Sequence, residues 1–248
     1  MNMLTNYLVP QWISIAFLIA IPAPFILISL FVYRAAKKTQ NKIAFPATVI
    51  FFILYLAYIA IASYYGWFSQ VSFPPKVLLL NTFPFALLLF IIILNTKVYK
   101  TILANSAIED IVKLHIFRLI GVFFILLAIH NALPKPFAFI AGIGDMLTAI
   151  SSVYVAKAIK NKKSYAKKLT YWWNIFGAVD ILFTAIAANV LTKMSIDTGV
   201  MGVDTLAVFP FCIIPAFAPP IILFLHLGYF QKTKIFFSLS CFLVLWQE

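Results

Sequence analysis

Residues 115–184 read HIFRLIGVFFILLAIHNALPKPFAFIAGIGDMLTAISSVYVAKAIKNKKSYAKKLTYWWNIFGAVDILFT. Apolar runs of roughly 20 residues alternate here with short polar connections, the length a helix rising about 1.5 Å per residue needs to cross a hydrocarbon core of about 30 Å. The runs lack the period-2 alternation of a membrane barrel. Polar and ionisable side chains nevertheless sit in or beside them: His115, Arg118, His130, Asp145, Thr148, Ser152, Asn174, Asp180 and Thr184. The stretch therefore reads as transmembrane helices that enclose a polar centre.

The remainder of the chain reads as a hydrophobic frame around that centre. Of 248 residues, 64% are hydrophobic and 10% charged, and the mean hydropathy is +1.02. Soluble domains carry about 25% charged residues. The pattern predicts an all-α, polytopic membrane bundle in one domain, with spans at 12–33, 43–65, 77–95, 115–133, 137–159, 171–191 and 208–230. Residues 235–246 are apolar but too short to cross, and read as an interfacial or packed tail. The first apolar run has no basic segment before it and reads as a retained helix rather than a signal peptide.

Lysine and arginine set the orientation. Four lie between spans one and two, three between spans three and four, six between spans five and six, and two in the tail. The intervening connections hold only Lys76, Lys135 and Lys193. Fifteen against three places the lysine-rich face in the cytoplasm and the N-terminus outside. It also explains the net charge of +12 as clusters facing anionic lipid headgroups rather than nucleic acid. Cys212 and Cys241 form no disulfide framework or metal spacing.

Local signals refine this frame. Ser106 and Glu109 have the spacing of a capping box that would start the fourth helix. Pro215, Pro219 and Pro220 remove backbone donors from the seventh span, and the freed carbonyls need partners. Tyr64, Tyr65, Trp172 and Trp173 read as interface anchors. Asp197 and Asp204 read as solvated loop residues.

Counting residues from the span ends places Asp145 about 12 Å below one face and Asp180 about 13 Å from the other, so both fall in the middle third. Arg118 lies within reach of Asp180. Asp145, Thr148 and Ser152 share one face of span five, and Gly177, Asp180 and Thr184 share one face of span six. Gly142-Ile-Gly-Asp145 and Gly177-Ala-Val-Asp180 are alike on antiparallel spans, a hint of an inverted repeat. Charge at this depth costs at least about 2.5–3.5 kcal/mol. The group is either a structural clamp between helices or a substrate or proton site.

The histidines carry weaker signals. His130 lies near the outer interface with Asn131. His115 and His226 fall at similar depth near the inner interface, a pair that could ligate a haem or metal. Interfacial histidines more often place a polar tip among headgroups, so no haem and no metal are expected. No spacing of His or Cys supports a metal site.

Span seven contains no lysine for a retinal Schiff base, which excludes a microbial rhodopsin, and Pro10-Gln11 lies outside any span, which excludes a PQ-loop transporter. Arg118-Leu-Ile-Gly121, Leu133-Pro134, Phe137-Ala138, Ala141-Gly-Ile-Gly-Asp145 and Trp173-Asn174 with Gly177 and Asp180 resemble a type of uncharacterised bacterial seven-helix integral membrane protein. The resemblance implies the bacterial inner (plasma) membrane and no particular activity. The leading expectation is transport or sensing of a small solute or proton through Asp145, Asp180 and Arg118. The alternatives are an intramembrane enzyme acting on a lipid or isoprenoid, and an accessory membrane subunit.

Overall fold

The computed structural model describes residues 9–70 and 72–244, with side chains through residue 233. All its regular elements are helical. Seven helices among the described residues are long and apolar enough to cross a membrane: Gln11–Lys38, Ala44–Tyr64, Leu78–Asn95, Ile108–Ile129, Lys135–Lys160, Ala166–Thr198 and Ile213–Thr233. Each overlaps one expected span. The backbone of the last continues as helix to Val244. The side chains and the end of the 235–246 tail lie outside the described residues.

The helices outrun their hydropathy signal. The fourth begins at Ile108, two residues after the start marked by Ser106 and seven before its expected span at 115, and the sixth runs Ala166–Thr198 rather than 171–191. Lysines and acids in the end turns lower hydropathy without breaking a helix. Glu109 and Asp110 occupy the first turn of the fourth, where carboxylates complement the exposed N–H groups. The capping box does not form. Ser106 donates its hydroxyl to the Ile102 carbonyl at 2.7 Å, closing the preceding helix Lys97–Asn105, and Ala107 occupies the N-cap. That preceding helix has its own cap, Thr96 Oγ1 accepting from the Tyr99 amide at 3.1 Å.

The fifth span lies between the fourth and the sixth, and the seventh packs on the sixth, the third and the fourth. Burial separates core helices from frame. Within the most apolar part of each span, 61% of residues are buried in the fourth and 67% in the seventh, against 17% in the second and the third. The frame helices thus turn most of their surface away from the rest of the chain. The apolar core joins the two sets through rings such as Phe25 and Phe217, whose centroids are 4.4 Å apart.

The fourth span is not uniform. Its middle, His115–Gly121, is a 3-10 helix between the α-helices Ile108–Leu114 and Val122–Ile129. Three residues per turn stack i and i+3 directly, which aligns His115 with Arg118.

The prolines of the seventh span are accommodated by neighbours. Pro219 and Pro220 cannot donate to the carbonyls of Pro215 and Ala216 four residues back. Thr82 Oγ1, from the third span, donates to Pro215 O at 2.7 Å. Tyr55 Oη, from the second, donates to Ala216 O at 2.9 Å. Replacing either hydroxyl leaves a carbonyl unpaired, at about 1–3 kcal/mol. Tyr55→Phe and Thr82→Val are each expected to lower the thermal unfolding temperature in detergent, and the double variant to lower it further. An unchanged unfolding temperature in the double variant would show that the carbonyls find other donors.

Candidate functional site

Three helices converge on one guanidinium. Arg118 Nε donates to Asp145 Oδ1 at 2.7 Å. Its Nη2 donates to Asp180 Oδ2 at 2.5 Å. Its Nη1 donates to the Gly177 carbonyl at 3.0 Å and stands 3.4 Å from His226 Nε2. The expected Arg118–Asp180 pair is thus half of a bridge that includes Asp145. The Arg118 side chain is fully buried, and the two aspartate side chains are 11% and 9% exposed. Only a forked guanidinium can serve these directions at once; a lysine ammonium cannot.

Close approach at two glycines creates the arrangement. A Cβ on Gly144 would collide with the Asp180 carboxylate, and one on Gly121 with Asp145 Cβ. The glycine beside each aspartate is therefore the recess that receives the opposing side chain.

His115 and His226 are buried, at 1% and 2% exposure, which corrects the interfacial placement. Their ring centroids lie 4.2 Å apart at an interplanar angle of 36°. A guanidinium only donates, so His226 Nε2 accepts, and Nδ1 carries the proton toward Asn174 Oδ1 at 2.8 Å. The Asn174 amide donates to the His226 carbonyl at 3.2 Å. His115 Nδ1 has no partner among the described residues. Rings in van der Waals contact leave no space between them for a haem, whose iron sits about 2 Å from each ligating nitrogen. Both nitrogens of His226 are already engaged. Among the described residues no group of three His, Cys, Asp or Glu could hold a metal ion.

Trp173 is also part of this core rather than an interface anchor. It is buried, its indole donates to Ser151 Oγ at 3.0 Å, and its ring stands perpendicular to that of His115 with centroids 5.1 Å apart. Tyr64, Tyr65 and Trp172 are exposed, as anchors should be.

The hydroxyls of Thr148 and Ser152 turn back to their own helix, to the Gly144 and Ala149 carbonyls at 2.9 and 2.6 Å. His130 is exposed and meets Trp12 edge-on, away from the centre. Thr184 is buried and lines the cavity described next.

A cavity of about 770 Å³ runs from the 68–75 and 195–207 segments down between the third, sixth and seventh spans to Asp145. Thr184, Pro215 and Pro219 line it, and Asp180 does not. Asp204 lines its loop end, and partial burial raises the Asp204 carboxyl above its ordinary value. The sequence pattern gave Asp204 no such role. Asp197 instead pairs with Lys193 at 2.5 Å.

Fold and site together define a polytopic helical membrane protein with a buried ion bridge at the end of a cavity. The chain belongs to the family described as "Domain of unknown function (DUF8737)", whose model matches residues 74–232. The match covers the third to seventh spans and every residue of the ion bridge. No curated protein and no solved structure matches the chain.

Proposed function

We propose that this chain is a bacterial inner-membrane protein that transports or senses a small solute or a proton at the Arg118–Asp145–Asp180 centre. One observation carries the reading: two carboxylates share a single guanidinium, and one of them, Asp145, lines the cavity. With both carboxylates ionised the bridge holds one surplus negative charge, which is costly away from water. It is balanced only when a proton or another cation is on board. A purely structural clamp would need neither the second carboxylate nor the access. The lining continues into loops at a membrane face, which favours a water-borne ligand over a lipid substrate.

Proton flux in proteoliposomes, driven by an imposed membrane potential and read by an entrapped pH dye, is expected to be abolished by Asp145→Asn and by Asp180→Asn. If both variants conduct like the unaltered protein, the centre carries no proton. The lysine distribution favours an external N-terminus, with the cavity facing outward. A Cys placed at Lys163 should then resist an impermeant thiol reagent in intact cells. Ready labelling from outside would reverse the topology.

A further inference from the structure

We infer that the cavity above Asp145 is a binding site for an organic cation with an apolar, aromatic-sized body, taken up in exchange for the proton of the ion bridge. The inference rests on the proton reading of that bridge and adds the chemistry of its ligand. The cavity lining contains two charged side chains, Asp145 and Asp204, and both are acidic. No lysine or arginine among the described residues lines it. An anionic ligand would find no counter-charge there, because the Arg118 guanidinium is already turned to two carboxylates and the Gly177 carbonyl.

The walls exclude a small inorganic cation as the principal ligand. About 770 Å³ is the size of a small-molecule site, and no cluster of metal-ligating groups stands in the described residues. Phe68, Phe83, Phe124 and Phe137 line the same space. Aromatic rings attract weakly hydrated organic cations through their faces and offer little to a strongly hydrated ion.

Charge balance then dictates exchange. With the carboxylate pair protonated once, the bridge is neutral. A cation arriving beside Asp145 would give the neutral bridge one surplus positive charge, and neutrality returns when the proton leaves as H⁺ through the cavity to water. One proton leaves for one cation bound, and no covalent bond other than O–H breaks.

The probe is radiolabelled tetraphenylphosphonium, a permanent cation that carries no proton of its own. Equilibrium dialysis on the full-length, detergent-purified chain should show saturable binding, with one proton released per cation in weakly buffered solution. Tetraphenylborate, an anion of the same shape, should not compete. Asp145→Asn should weaken binding by about tenfold or more. Ala188 lines the cavity, about 12 Å along the sixth span from Asp180, and Ala188→Trp should occupy the cavity and weaken binding equally while keeping the original unfolding temperature. This variant serves even if Asp145→Asn fails to fold. Absence of binding, competition by tetraphenylborate, binding without proton release, or full affinity in Ala188→Trp would each overturn the inference. If proton flux still depends on Asp145 while the cation fails to bind, only the ligand class falls. If flux and binding are both absent, the proton reading falls with it.

Discussion

Arg118→Ala is expected to cost about 3–5 kcal/mol, the penalty for leaving a buried ion without its partner. Here two carboxylates lose the same cation, so the effect should lie at the upper end. The measurement is thermal or denaturant unfolding in detergent. The decisive control is the triple variant Arg118→Ala, Asp145→Asn, Asp180→Asn, which removes the charges on both sides. It should recover much of the loss, because neutral amides cost far less to bury than unpaired carboxylates. Arg118→Lys should recover little, since one ammonium cannot reach Asp145, Asp180 and the Gly177 carbonyl together. If Arg118→Ala unfolds at the original temperature, the carboxylates are not held by this guanidinium.

Gly121→Ala should also destabilise the protein, although it adds a single methyl group. Its Cβ would fall on Asp145 Cβ, and the Gly142 carbonyl would stand 3.1 Å away. Neither obstacle is the free end of a flexible side chain, so the fourth and fifth spans must separate. Overpacking of this kind costs about 1–3 kcal/mol. The same displacement draws Arg118 away from Asp145, so proton flux should fall along with stability. A variant with full stability and flux would show that the crossing tolerates a Cβ and that the contact is not close.

The seven spans and the three charges were legible in the sequence for one reason: hydrocarbon tolerates neither loops nor unpaired charge. Long apolar runs could only be helices, and Arg118, Asp145 and Asp180 stood out within them. What was not legible is the depth of residues near span ends. Hydropathy places the start of span four at His115, but the helix begins at Ile108, about 10 Å earlier along the axis. His115 is therefore inside the protein. Trp173 moves inward for the same reason, because the sixth span begins at Ala166 in a lysine-bearing turn that hydropathy discounts. The role of Asp204 depends on how the 195–207 segment folds back over the cavity, and no local pattern encodes that. The Ser106 capping box does not form because Ser106 lies one residue before the N-cap Ala107 and turns its hydroxyl back onto the Ile102 carbonyl of the preceding helix, instead of accepting from an amide of the helix that follows.

Thr82 and Tyr55 give the seventh helix a property that its own sequence cannot supply. Across the turn before Pro219 and Pro220 two rungs of the internal ladder are missing, and the groups that replace them are hydroxyls on other helices. On the far side of the prolines the helix is tied instead to Asn174, through the ring and carbonyl of His226. The helix is thus a jointed rod whose two halves are fastened to different neighbours: one to the second and third spans, the other to the sixth. Its rigidity at the joint is borrowed, and what locks it lies in helices that take no part in the ion bridge.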